Sequence, residues 1–268
     1  MPYTRTTLFA SPLLEWQHLR VQEPARRDWS DEYHAASARL LVPLSAAFLA
    51  RLRGATFACD AGAALWLTPE RGYRLRPAAL PVPQEMLLIA LAGSGEADAQ
   101  ALNLDAAAHA RLARLAAAWR AGRLDAVAVE EALVGELDAV LGLAATSSTA
   151  AATPHAAVER TRALLAAAPE RALTLAAIGR EVGCSPFHLA RRFRARTGRS
   201  IHRYREELRA ARALVRLQRG ERDLTALALE LGYSSHSHFS AAFRAVHGAS
   251  PSAMRTILTA PRRAARHS

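Results

Sequence analysis

The chain has no lysine: all 35 basic residues are arginine. A GC-rich coding sequence explains that choice, so arginine here is read for its charge alone. Cysteine is nearly absent. Cys59 and Cys184 stand far apart and form neither a metal-ligand spacing nor a disulfide framework, which fits a reducing compartment. Long apolar runs are missing too, so no membrane span is expected. The opening stretch, MPYTRTTLFASPLLEWQHLR, has no apolar core and does not read as a secretory signal, so a cytoplasmic protein is expected. Tryptophan ends at Trp119, before the basic part of the chain, which argues against a helix lying on a membrane surface.

Acidic residues are scarce in one half only. Residues 1–154 hold 14 Arg against 16 Asp and Glu, a net charge of −2, whereas residues 155–268 hold 21 Arg against 8, a net charge of +13. A polyanion partner is therefore expected for the second part alone. With 268 residues, 51% of them apolar, there is material for two packed domains.

Residues 37–92 contain short apolar runs broken by glycine and proline, which predicts a small antiparallel sheet or barrel. Helical periodicity follows over 104–143. Leu112, Leu115 and Trp119 form one stripe, and Leu133, Val134, Leu137, Val140 and Leu141 another, suited to packing on the sheet or to a contact with a second copy. The expected division is 1–145 as a sensor or dimerisation domain, 146–154 as a linker of small polar residues, 155–258 as a helical domain and 259–268 as a basic tail.

The second part contains one unit twice. LAAIGREVGCSPFHLARRFRARTGRSIHRYR (175–205) aligns with LTALALELGYSSHSHFSAAFRAVHGASPSAMR (224–255) at an offset of 49 in the leading helix and 50 in the second. Gly183 pairs with Gly232, Ser185 with Ser234, Phe193 with Phe243 and Arg194 with Arg244. Each copy has the logic of a helix-turn-helix, expected over 175–196 and 224–246. A small residue, Gly179 or Ala228, lets the second helix cross closely. A glycine makes the turn, and Ser185 with Pro186 opens the second helix. Leu189, Phe193, Phe239 and Phe243 face inward. Phe187, His188, Ala190, Arg191 and Arg192 face outward in the first copy, and His236, Ser237, Ser240 and Ala241 in the second. These slim polar faces suit base edges in a major groove about 12 Å wide. Ser185, Arg194, Arg196, Ser234 and Arg244 are placed for backbone phosphates. Between the copies, residues 201–220 form a helix apolar on two faces, able to hold both units as a rigid pair.

These two segments resemble the DNA-binding domain of the AraC/XylS family of bacterial transcription regulators. The family's closing pattern G-x-S-P-x-x-x-R stands here as Gly248 to Arg255. The resemblance covers about 100 residues and implies a seven-helix domain that binds double-stranded DNA and activates transcription by contacting RNA polymerase. Two positions depart from it: Ala241 stands where members often carry arginine, and Gly179 stands where alanine is usual, at a cost of roughly 1 kcal/mol in a helix.

The first part resembles, by element order and by ALWLTPERGYRLRP (64–77), the family's cupin-like β domain, which senses a small-molecule effector or sets homodimerisation. The fold class expected is thus α+β: a cupin-like antiparallel β domain with following helices, then an all-α domain with two helix-turn-helix motifs. Glu70 and Tyr73 are the candidate effector contacts. His18, His34 and His109 lack metal-ligand spacing, and no nucleophile-base pair or phosphate loop stands out, so neither metal, cofactor nor enzymatic activity is expected. Cys184 sits in the first turn, where a small apolar residue packs. Two alternatives stay open: a cupin-type enzyme fused to a DNA-binding module, and an architectural DNA binder without sequence preference.

Overall fold

The computed structural model describes residues 3–21, 28–44, 47–78, 84–92, 98–146 and 155–260. Ten strands precede nine helices among them. The strands are β1 (Tyr3–Ala10), β2 (Leu14–Val21), β3 (Tyr33–His34), β4 (Arg39–Pro43), β5 (Phe48–Leu52), β6 (Ala55–Cys59), β7 (Ala63–Leu67), β8 (Gly72–Pro77), β9 (Gln84–Leu91) and β10 (Gln100–Asn103). The helices are α1 (Ala108–Arg120), α2 (Ala126–Thr146), α3 (Ala156–Ala167), α4 (Leu175–Val182), α5 (Pro186–Thr197), α6 (Ile201–Gln218), α7 (Leu224–Glu230), α8 (His236–His247) and α9 (Pro251–Leu258). The fold is α+β, with antiparallel sheets first and seven helices, α3 to α9, last.

The strands form two sheets, ordered β1-β2-β9-β4-β7-β10 and β3-β8-β5-β6. Strands β1, β2 and β3 lie before the expected β region, and β10 lies after it. β1 is mostly exposed and carries no apolar alternation to betray it. The segment 64–77 is a strand, a turn and a strand, but β7 and β8 do not pair; the chain passes there from one sheet to the other. Phe48, Phe57, Leu65, Leu67 and Leu88 lie in the core between the sheets.

Helices α1 and α2 cover the other face of the larger sheet. Leu112, Leu133, Leu137 and Val140 are buried with Trp16, Leu40 and Trp66, and Leu115, Trp119 and Leu141 pack against that cluster. So the predicted stripes pack on the sheet. Val134 is the exception, turned outward at 39% exposure. Helix α2 also continues through Thr146, into the expected linker, whose residues 147–154 lie outside the described residues, as does the tail from 261.

The helical part has two cores that share α6. Tyr204 and Leu208, from its first half, join Ile178, Val182, Leu189 and Phe193. Ala210, Ala213, Leu214 and Leu217, from its second half, join Leu227, Phe239, Phe243 and Met254. An 18-residue helix spans about 27 Å, so α6 is the axle between the two units. The first domain docks on both. Ala110, Ala113 and Ala117 of α1 belong to the second core, while Ala47 and Ala61 reach the first. The seam includes a buried polar cluster. Tyr204 Oη donates to Asp60 Oδ1 at 2.5 Å, and Arg162 Nε donates to Tyr204 Oη at 2.9 Å. Arg162 lies 3.5 Å from both Asp60 and Glu159, and Glu159 accepts from the Ala58 amide at 2.8 Å. Only the Glu159–Arg162 pair, three residues apart on α3, follows from sequence spacing.

Candidate nucleic-acid interface

Each helix-turn-helix is built by local rules. Thr174 and Asp223 cap the first helices through Ala177 N and through Thr225 N and Ala226 N. Gly183 and Gly232 follow those helices at φ +66° and +79°, a left-handed conformation that glycine adopts without strain. At Gly232 a Cβ would also lie 2.6 Å from the Glu170 carbonyl oxygen. Ser185 caps α5 by accepting from His188 N, and Pro186 takes the first turn. In the second copy the cap is Ser235, accepting from His238 N. The structural partner of Ser185 is therefore Ser235, and the pairing with Ser234 is corrected: the extra residue of the second turn falls at Ser234.

The small position of the first helix also gains a reason. A Cβ on Gly179 would meet the Cys184 carbonyl oxygen at 2.6 Å, so the first turn sits too close for alanine, whereas Ala228 fits its own copy. Cys184 itself packs against the first core, its amide donating to Gly179 O at 2.9 Å. The repeated arginine at the end of each unit is a brace. Arg205 donates to the carbonyls of Arg171 and Leu173, both at 3.3 Å, and Arg255 to that of Arg222 at 2.8 Å, each just ahead of its unit's first helix.

The inward aromatic residues, Phe193, Phe239 and Phe243, are fully buried with Leu189. The residues expected outward all reach the surface. Phe187 is 74% exposed; His188, Arg191, Arg192, His236, Ser237 and Ala241 are exposed, and Ala190 and Ser240 are half-buried at the edge of their faces. Ser185, Arg194, Ser234 and Arg244 are exposed as well, and Arg196 is half-buried, its guanidinium held below the usual arginine range by burial. Several of these groups have partners within the chain. Arg192 contacts His155 at the start of α3, and Ser234 Oγ lies 3.1 Å from His238 Nδ1. His238 was missed by the sequence reading. Its signal was there, because it stands 50 residues after His188 on the same exposed face.

Glu70 is exposed in the β7–β8 turn, and Tyr73 packs on Tyr33 with the rings tilted at 42° and their centroids 5.7 Å apart. Burial raises the Tyr73 phenol above its ordinary value. Neither lines the cleft that opens between the two domains. That cleft, of about 420 Å³, lies between the larger sheet, α1 and α6. Its apolar wall includes Trp16, Leu87, Leu112 and Leu214, and its polar end His18, Arg20, Glu85 and Arg219. Glu85 pairs with Arg219 across the domains and lies 3.6 Å from His18 and from Arg20. Burial works to raise this carboxyl, but the bonds from His18 and Arg219 outweigh it and hold it below the usual range. Among the described residues no group of three or more His, Cys, Asp or Glu is placed to hold a metal ion. No helix among them is long and apolar enough to cross a membrane.

Comparison with known proteins agrees with this geometry. A sequence model described as a helix-turn-helix domain matches residues 178–257. The transcriptional activator RhaR of Klebsiella pneumoniae is 33% identical over 107 residues, which are 40% of this chain and 38% of that protein. Residues 178–257 form a helix-turn-helix domain of the AraC type. This chain thus spans about two-fifths of the length of the curated relative that it matches. Among solved structures, an AraC-type transcriptional regulator from Chromobacterium violaceum is 30% identical over 39% of this chain and 94% of its own, with a TM-score of 0.37. ToxT of Vibrio cholerae, solved with an unsaturated fatty acid, is 12% identical over 94% of this chain and 98% of its own, with a TM-score of 0.40. In the domain described here, α5 and α8 are the second helices of the two helix-turn-helix units.

Proposed function

We propose that this chain is a sequence-specific transcription regulator that places α5 and α8 in successive major grooves of double-stranded DNA. One observation carries the reading. The two exposed helix faces occupy equivalent places in a duplicated unit, and the half of the chain that holds them has a net charge of +13. The charge supplies attraction to phosphate, and the outward faces supply donors, acceptors and apolar atoms for base edges. Arg191 leads in base reading, because α8 offers Ala241 at the equivalent position. Arg194 and Arg244 take phosphates, adding affinity on any sequence.

The first domain carries regulation in this reading, through a small organic effector rather than a metal. The cleft of about 420 Å³ has the size and the apolar walls of a small-molecule site, and residues of both domains line it. A ligand there would bear directly on how the domains meet. Activation through contact with RNA polymerase is the proposed output, in keeping with the similarity to an activator. No catalytic step is assigned to the chain.

The test is selection of duplexes from random-sequence DNA by the full chain. The expected result is a motif in two parts, one helical turn apart. Recovery of DNA without sequence preference, bound with a steep salt dependence, would replace this reading with that of an architectural binder.

A further inference from the structure

The two recognition helices end in the same way. A helix leaves its last carbonyls without partners inside the helix. Here the ends of α5 and α8 are met by groups from one short stretch of the first domain. Asn103 Nδ2, at the end of β10, donates to the Arg196 carbonyl oxygen at 3.2 Å. Arg114 Nη1, on α1, donates to the His247 carbonyl oxygen at 3.3 Å. Arg199, just past α5, returns a bond to the Leu104 carbonyl at 2.6 Å. The positive Arg114 also faces the negative end of the α8 dipole.

Within the DNA-binding domain the two units are joined at the opposite ends of these helices. Their cores share α6. Beside the second turn, Arg209 Nε donates to Pro169 O at 2.8 Å and its Nη2 to Glu170 O at 3.3 Å, and Glu170 O abuts Gly232. Those contacts fix the turn side of the pair. A single axle and one hinge-side contact leave a swing open at the far side, where α5 and α8 finish. Residues 103–114 close it. Their backbone is itself rigid, since β10 pairs with β7 and α1 is anchored in the first domain's core.

We propose that Asn103 and Arg114 are positioning residues: by holding the ends of both recognition helices, they set the separation at which the regulator accepts its two DNA half-sites. The proposal rests on the DNA-binding reading above. A change of one base pair between half-sites shifts one of them by about 3.4 Å and turns it by roughly 35°, which a clamped pair of helices cannot follow. A pair freed of these two bonds, and held by α6, Arg209 and the rest of the seam, can follow more of it.

The experiment uses the full chain and a duplex selected by it from random DNA, with one base pair added or removed between the halves. Wild type is expected to bind the altered duplexes at least about tenfold more weakly than the parent. The double variant Asn103→Ala, Arg114→Ala should lower that ratio to about threefold or less. Arg114→Lys alone, which keeps a cationic donor, should retain the wild-type ratio. The reading is a ratio between duplexes for one protein, so a general loss of stability does not imitate it, and each single alanine variant should give an intermediate ratio. A double variant as selective for spacing as wild type would overturn the proposal, and so would a wild type indifferent to spacing. A wild type that bound no DNA would remove the regulator reading itself.

Discussion

Replacing Asp60 by alanine should cost about 4 kcal/mol, although the residue lies in the first domain. Asp60 is 1% exposed, and Arg162 opposite it is among the buried charges. Removing one member of a buried ion pair costs about 3–5 kcal/mol, because the other charge is left in the interior. Here Glu159 still stands 3.5 Å from Arg162, which lowers that figure to about 2–3 kcal/mol. Alanine also strips an acceptor from Tyr204 Oη at 2.5 Å and from the Gly62 amide at 2.8 Å, each worth about 1 kcal/mol. Asp60→Asn keeps an acceptor for both and loses only the charge, so its cost should be roughly half. The assay is urea unfolding followed by tryptophan fluorescence, which reports the first domain because Trp16, Trp29, Trp66 and Trp119 all lie there, and by helical circular dichroism. A loss below about 1 kcal/mol for Asp60→Ala would show that this seam is open to water and that the domains are not packed as described.

Arg191→Ala should relax preference at one base position by about 1–3 kcal/mol, whereas Arg194→Ala should weaken all sequences alike and reduce the salt slope by about 1; binding to single-base variants at several salt concentrations separates the two. His247 is buried against Phe243, with rings 4.5 Å apart. Burial lowers its imidazole from 6.5 to about 4, with His109 and Arg114 adding to the effect against an opposing bond from the Ala210 backbone. The unfolded chain therefore takes up this proton first. Stability should be complete above about pH 6.5 and fall by up to about 3 kcal/mol as pH drops to about 4, a loss that His247→Gln should remove from the measured pH profile. Gly179→Ala should destabilise by about 1–2 kcal/mol despite the better helix propensity of alanine, since the new Cβ meets the Cys184 carbonyl at 2.6 Å; a raised urea midpoint would contradict this.

The inward and outward faces of α5 and α8 were legible in the sequence because local rules govern them. Apolar spacing set the inward residues, glycine and serine marked the turns, and the duplication checked each copy against the other. One slip, Ser234 for Ser235, occurred where the copies differ by a residue and two serines are adjacent, and His238 was overlooked although it repeats His188. The first domain was legible only in outline. β1 carries Thr and Arg on an exposed edge, which leaves no alternation to read. The seam was not legible at all. Its apolar part is the alanine stripe Ala110, Ala113 and Ala117, faint beside the leucines of the same helix. Its polar part joins Asp60 to Tyr204, residues separated by 144 positions, and no local pattern announces such a pair. Glu70, in the β7–β8 turn, and Tyr73, in β8, do not line the cleft, which draws its walls from β1, β2, β9, α1 and α6.

The central claim is that both recognition helices enter major grooves at once. Methylation interference on a selected duplex tests it most directly, because guanine N7 lies in the major groove. The account predicts interference at guanines in two clusters about 10 base pairs apart on one face of the duplex, with the cluster under α5 weakened in Arg191→Ala. Interference confined to a single cluster, or found only at minor-groove adenines, would contradict it.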